Sequence, residues 1–212
     1  MTRTTRPSRR ILAAALVIGA LVAVLAAPAG ADGLNDERSP RIQIKGATLK
    51  ASDKIDSSAD PAIGKTAPRL VGLSLAGKKV SIGNDGKPRV VLFLSHSCPH
   101  CQAEVPRIVT LAQQGKLDGV EVDTVTTNTS KSLPNWPPSK WLKREHWPFK
   151  PVLADDGRLR ALTGYGGQAF PYFVFVDADG KVVARYAGEL DPATIATVFS
   201  HLAKGESVFS KG

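Results

Sequence analysis

Cysteine is scarce in this chain: 212 residues contain two, and both lie in one short stretch. With no second cysteine pair, a four-cysteine zinc site is excluded, because tetrahedral zinc needs four ligands. The sequence also lacks an arginine-rich stripe, an RNA-binding signature and a helix-turn-helix pattern, so no nucleic-acid partner is expected. It contains no internal repeats, which excludes a repeat architecture.

Long apolar runs are limited to one, residues 11–27. Four arginines precede this run, and the small-residue triplet Ala29-Gly30-Ala31 follows it. This pattern predicts that residues 1–31 are a secretory signal peptide. The run also just reaches spanning length, so an uncleaved membrane anchor is the alternative. In both cases we expect an extracytoplasmic protein, secreted or anchored to the outer face of the cytoplasmic membrane.

The excess of positive charge is partly a property of this leader. The formal net charge of the whole chain is +9. Removal of residues 1–31, which hold four arginines and no acidic residue, leaves +5. A charge of this size on the remaining chain does not require a nucleic-acid partner.

The rest of the chain divides by composition into three parts. Residues 32–60 mix charges, serine and glycine with little apolar periodicity, which predicts a flexible linker or extension with a short strand at 42–45. The pattern of apolar and polar residues predicts one folded domain at 61–204, and residues 205–212 are predicted to be a C-terminal tail. We expect a monomer.

Strands and helices alternate along residues 61–204. We predict, in chain order, a hairpin at 70–82, a buried strand at 89–95, a helix from Cys98 to about Leu117, a strand at 119–127, a helix at 137–147, an extended segment at 151–155, a short helix, a hairpin at 171–188, and a helix capped by Asp191. This order indicates an α/β fold, in which a mixed central sheet is flanked by helices and extended by an N-terminal β-hairpin.

The two cysteines lie at the junction between the buried strand and the first helix. Pro99 suits the first helical position, which makes Cys98 the N-cap. Its sulfur would then face free backbone N–H groups and the positive end of the helix dipole, which favours a thiolate. Cys101, one turn further, lies within disulfide reach. His100 is the titratable residue between them, so we expect Pro99 and His100 to tune the redox potential.

Three interpretations of the pair remain open. A redox-active pair is favoured, because a disulfide that closes so small a loop gains only about 2 kcal/mol as a permanent crosslink. A metal clip would need further ligands, for which His96 and His100 are candidates. We expect no metal and no other cofactor.

Three segments carry a resemblance to a known family: "CPHC" at the strand-to-helix junction, "CQAEVP" after it, and "FPYFVFVDADGKVVARYAG" later. Over roughly residues 61–204 the chain resembles the TlpA/ResA group of exported thiol–disulfide oxidoreductases, which have a thioredoxin fold. The resemblance implies that Cys98 is the nucleophile and that Cys101 resolves the mixed disulfide. It also implies that Pro171 is a cis proline which, with Phe170, binds substrate, and that Glu104 handles protons near Cys101.

One feature departs from the group. A tryptophan usually precedes its first cysteine, whereas this chain has Ser95-His96-Ser97. The aromatic cover of the disulfide is therefore missing or is supplied by Trp136, Trp141 or Trp147.

The direction of exchange is open at this point. The Pro-His dipeptide is that of DsbA-like oxidants, whereas the TlpA/ResA scaffold is associated with reduction. The resemblance implies that the partners are exported cysteine-containing proteins, with apocytochrome c as an example, and a membrane thiol/disulfide relay protein. The alternative function is a non-catalytic binding module, such as a metal or haem-pathway chaperone.

Overall fold

The computed structural model describes residues 1–2 and 36–208. Most of the predicted leader, the run 3–31, lies outside the described residues, as does the end of the predicted tail, 209–212. Within the described ranges, no helix combines the length and the apolarity needed to cross a membrane.

Eight strands and four helices form the described part of the chain. In chain order they are β1 (Gln43–Lys45), β2 (Arg69–Ser74), β3 (Lys79–Ile82), β4 (Arg89–Leu94), α1 (Pro99–Gln113), β5 (Glu121–Thr126), α2 (Pro138–Arg144), β6 (Leu153–Ala154), α3 (Arg160–Gly164), β7 (Tyr172–Val176), β8 (Val182–Ala187) and α4 (Pro192–Lys204). Every predicted strand and helix of residues 61–204 is present with shifted ends.

The strands form one mixed sheet in the order β1-β2-β6-β5-β4-β7-β8, with β3 paired to β2. Strand β4 is central: it runs parallel to β5 and antiparallel to β7. All six of its residues are buried, as expected for an apolar run covered on both faces.

Side chains of β4 alternate between two hydrophobic cores. Val90, Leu92 and Leu94 pack into a core that also contains apolar residues of α1, α2 and α4. Val91 and Phe93 pack into the opposite core. These two layers of cover give the thioredoxin-like α/β fold that the sequence predicts, and the strands β1 to β3 form its N-terminal extension.

Residues 32–60 were predicted to be a flexible linker. The structure describes this segment from residue 36 onward, and there it packs against the folded domain. Ile42 and Leu49 are buried in the second core, and β1 pairs with β2. The Arg185 guanidinium, fully buried, forms an ion pair with Asp60, with Nε at 2.7 Å from Oδ2. The physical reason is that this face of the sheet needs an apolar cover, which the short helix α3 supplies only in part.

Both long helices begin as the sequence indicates. Cys98 is the N-cap of α1 and Pro99 its first residue. Asp191 caps α4 by accepting hydrogen bonds from the backbone N–H groups of Ala193 and Thr194. Helix α1 ends at Gln113, before the predicted Leu117, because Gly115 adopts a left-handed conformation with φ of 67°.

Candidate functional site

The antiparallel pairing of β4 and β7 brings the cysteine motif and Pro171 together. Phe93 pairs with Tyr172, so the chain leaving β4 lies beside the chain entering β7. The Phe170–Pro171 peptide bond is cis, as the resemblance implies. The Cys98 thiol donates to the backbone carbonyl of Phe170, with 3.4 Å between Sγ and O. Residues 72 positions apart in sequence thus form one site.

The two cysteines, both free thiols, differ in access to solvent. Cys98 is partly exposed, whereas Cys101 is fully buried. Burial raises the pKa of the Cys101 thiol, and the backbone N–H of Ser95, 3.3 Å from its sulfur, acts in the opposite direction. The outer sulfur is therefore the one that a protein disulfide can reach, and the inner sulfur is held as a thiol.

The local geometry at Cys98 departs from the prediction in one respect. Its sulfur makes no capping hydrogen bond to the first turn of α1. The thiol instead points across to Phe170, which is partly exposed, while Pro171 is buried. The carbonyl that would pair with a substrate strand is thus next to the outer sulfur.

His100 lies on the surface and its ring contacts an acidic residue. Nδ1 of His100 lies 2.7 Å from Oε1 of Glu189, in the turn between β8 and α4. Hydrogen bonds from His100 and Arg107 lower the pKa of Glu189. Glu189 was not among the sequence candidates, because it is 89 residues from His100 and belongs to no motif.

Glu104 lies on the inner side of α1, one turn after Cys101, and is fully buried. Burial raises its pKa to about 7, although the Leu190 N–H, 3.2 Å from Oε1, and the Arg107 guanidinium, 3.2 Å from Oε2, favour the charged form. A carboxyl group with this pKa can gain or lose a proton near neutral pH.

We expect Glu104→Gln to raise the free energy of unfolding at pH 8 and to leave it nearly unchanged at pH 4. The folded-state pKa, about 7, lies above the ordinary value of 4.5. The folded state then binds more protons than the unfolded state between these values, so stability falls as pH rises through that window. The full difference corresponds to about 3 kcal/mol, and loss of the Arg107 contact reduces the gain to about 1–2 kcal/mol.

Urea denaturation of the reduced protein at pH 4, 6 and 8 checks this, with the exposed Glu121→Gln as the control. Equal pH dependence in wild type and Glu104→Gln would contradict the assignment of Glu104.

His96, which the sequence offered as a candidate ligand of a metal clip, is fully buried. Its Nδ1–H donates to the carbonyl of Pro134 at 2.5 Å, and its Nε2 accepts from the Ser130 N–H at 3.3 Å. Burial lowers its pKa, which keeps it neutral. With both ring nitrogens engaged, His96 ties the loop 127–137 to the motif and has no free nitrogen for a metal.

Of the three tryptophans considered as aromatic cover, one lies at the motif. Trp136 packs edge-on against His96, with ring centroids 6.1 Å apart. Trp141 and Trp147 are buried in the first core, where Trp147 Nε1–H donates to Thr124. The aromatic neighbour of the motif therefore comes from the loop and not from the residue before Cys98.

Within residues 36–208, no cluster of three or more His, Cys, Asp or Glu side chains is arranged to hold a metal ion. Two cavities, of about 810 and 750 Å³, are lined by other segments, the first around residues 45–50 and 61–69 and the second around 74–80 and 139–152. The titratable groups at the motif include two thiols, the buried carboxyl group of Glu104 and the surface histidine His100.

A Cys-x-x-Cys pair at a strand-to-helix junction, opposite a cis proline on a mixed sheet, is typical of thiol–disulfide oxidoreductases with a thioredoxin-like fold. The Redoxin family profile matches residues 62–201, and the chain belongs to this family. Its enzymatic class is thiol–disulfide oxidoreductase.

Two curated proteins show the degree of similarity. "Thiol-disulfide oxidoreductase ResA" of Bacillus thuringiensis (strain Al Hakam) is 32% identical over 129 residues, which cover 60% of this chain and 70% of that protein. "Thiol:disulfide interchange protein DsbE homolog" of Paracoccus denitrificans is 29% identical over 142 residues, covering 65% and 73%. The chain is thus of the ResA/DsbE type.

Among solved structures, a thiol:disulfide interchange protein of the thioredoxin family from Chlorobium tepidum superposes with a TM-score of 0.54 at 26% identity. It covers 65% of this chain and 95% of that protein. The superposition supports the fold and the class together.

Proposed function

We propose that this protein works outside the cytoplasm and exchanges disulfides with exported proteins through Cys98 and Cys101. The observation that carries the proposal is the difference between the two sulfurs. The outer one is partly exposed and contacts the carbonyl of Phe170, and the inner one is fully buried. A structural disulfide or a metal clip has no need of this difference.

In the reducing direction, the Cys98 thiolate attacks a client disulfide. A bond forms between Cys98 Sγ and one client sulfur, and the second client sulfur leaves as a thiolate. We infer that the client strand pairs with the carbonyl of Phe170, as extended peptides do at exposed backbone edges. Pro171 holds this carbonyl in place beside the sulfur.

Cys101 then resolves the mixed disulfide. Its thiol gives up a proton, for which Glu104 is the proposed acceptor, since it lies one turn away on α1 and its charge acts on the Cys101 sulfur. The Cys101 thiolate attacks Cys98 Sγ, the Cys98–Cys101 disulfide forms, and the client leaves with two electrons gained. In the oxidising direction the same steps run backwards.

The proposed clients are exported proteins with cysteine pairs, among them apocytochrome c, whose haem-attachment motif is Cys-x-x-Cys-His. This follows the similarity to ResA and DsbE homologues and the predicted export leader. A membrane thiol/disulfide relay protein is the proposed electron partner, and no cofactor is needed, because the two electrons pass between sulfurs.

We expect a disulfide-bonded peptide containing Cys-x-x-Cys-His to exchange stoichiometrically with the protein. Reduced protein is mixed with oxidised peptide, and oxidised protein with reduced peptide. Mass spectrometry follows the 2 Da change on each partner. A peptide with the same composition but separated cysteines is the control. Exchange with insulin but not with this peptide would contradict the proposed client, and exchange with neither would favour the binding module.

The reduction potential assigns the physiological direction. Equilibration with glutathione that gives a value near −120 mV identifies an oxidant, and one near −270 mV identifies a reductant. About 30 mV corresponds to 1.4 kcal/mol for this couple, so the roughly 150 mV between these two values corresponds to about 7 kcal/mol, and the measurement separates them clearly.

A further inference from the structure

Four titratable side chains are connected by hydrogen bonds from the surface beside the motif to the interior. Glu189 Oε1 contacts His100 Nδ1 at 2.7 Å, and its Oε2 accepts from Arg107 Nη1 at 2.6 Å. The same Arg107 nitrogen donates to Oε2 of Glu104 at 3.2 Å. The exposed fraction of the side chain is 68% at His100, 29% at Glu189, 37% at Arg107 and 0% at Glu104, so only the inner end of the series is buried.

Glu189 connects the surface residue His100 to Arg107, the residue that contacts Glu104. It lies in the turn between β8 and α4, and the backbone N–H of its neighbour Leu190 donates to the other oxygen of Glu104. The turn therefore contacts Glu104 twice, once directly and once through Arg107. Arg107 binds Oε2 of Glu189, and His100 contacts its other oxygen, Oε1.

We propose that Glu189 is a positioning residue of the thiol site, which shares Arg107 with Glu104 and thereby sets the proton exchange of Glu104 beneath Cys101. The proposal deepens the function proposed above and rests on the exchange reaction of Cys98 and Cys101. Glu189 does not touch the sulfurs, so it acts through Arg107 and Glu104.

The direction of the effect follows from the groups that face Glu104. Arg107, on the same helix, and the Leu190 N–H favour its charged form, whereas the Glu189 charge opposes it. Cys101 lies one turn before it on α1, and Tyr186 of β8 interacts with it electrostatically. Removal of the Glu189 charge removes its repulsion of the Glu104 carboxylate. Arg107 then has Glu104 as its one carboxylate partner in the group, and both changes favour ionised Glu104.

The test is a carboxyl titration of the reduced protein. Glutamate is labelled with ¹³C at Cδ, and the Glu104 signal is assigned from its loss in Glu104→Gln. In Glu189→Gln we expect the Glu104 midpoint, about 7 in the wild type, to fall by roughly 0.5 to 1 pH unit. Glu189→Asp keeps the charge and should bring the midpoint back toward wild type.

The matched control is Glu206→Gln, since Glu206 also pairs with a histidine, His201, at 3.8 Å. It should leave the Glu104 midpoint unchanged. An unchanged midpoint in Glu189→Gln, or one as low in Glu189→Asp as in Glu189→Gln, overturns the proposal.

A second readout separates this proposal from the function on which it rests. The pH profile of exchange with the client peptide should move with the Glu104 midpoint in Glu189→Gln. If the midpoint moves and no cysteine-dependent exchange exists at any pH, the proposed function fails and the link between Glu189 and Glu104 stands. If exchange occurs and its profile stays in place, the role of Glu189 is refuted.

Discussion

Cys98→Ser is expected to abolish the cysteine-dependent reduction of insulin by dithiothreitol, whereas Cys101→Ser should stop the reaction after its first step. The reason is the unequal access of the two sulfurs. In Cys98→Ser the remaining thiol is fully buried, and burial raises its pKa, so no thiolate is presented to a client. In Cys101→Ser the outer thiol remains, but nothing resolves the mixed disulfide.

The measurement has two parts. Insulin turbidity gives the rate, and non-reducing electrophoresis detects the adduct that should accumulate only in Cys101→Ser. Alkylation of the native wild-type protein should modify Cys98 at least about 100-fold faster than Cys101, and the two thiols should react alike after unfolding in urea. Adducts formed by Cys98→Ser, or equal alkylation of both native thiols, would contradict the assigned roles.

Arg185→Met is expected to lower the free energy of unfolding by about 3–5 kcal/mol, because it leaves the buried Asp60 carboxylate without its counter-charge. Both side chains of the pair are almost fully buried, at 0% and 1% exposed. Arg185 also donates to the carbonyls of Lys50 at 2.9 Å and Tyr165 at 3.2 Å. The guanidinium thus fastens the segment 50–60 to β8.

Urea denaturation with both partners changed completes this test. The double variant Arg185→Met with Asp60→Leu removes both charges and should recover much of the loss. Arg144→Met, which breaks an exposed pair with Glu145, should cost less than about 1 kcal/mol. A loss for Arg185→Met as small as that of Arg144→Met would show that the segment is not held by this pair.

Features with a local chemical cause could be predicted from the sequence. Pro99 and Pro192 mark helix starts because a missing N–H is harmless there. The continuous apolar run of β4 indicates a strand covered on both faces. Once these elements are placed, the cysteine motif falls at the end of a central strand, which is where the structure has it.

Features that depend on distant contacts could not be predicted. The alternation of Ile42 and Ile44 with polar residues predicts a short strand, but it is too brief to show that this strand and Leu49 cover a sheet face. The hydrogen-bond partners of the buried His96 lie 34 and 38 residues later in the sequence, so no local pattern shows its burial. Glu189 reaches the site only when β8 and α4 are folded together. In each case the missing information is the tertiary contact and not the local propensity.

The pairing of Phe93 with Tyr172 has a consequence for variation at this site. It fixes how far the chain travels from β4 to Cys98 and from Phe170 to β7, because each connection is only a few residues long. A single-residue insertion in either connection would carry the sulfur away from the carbonyl without altering a reactive group. The number of residues between β4 and Cys98 is therefore constrained by the strand pairing itself, whichever residues occupy those positions.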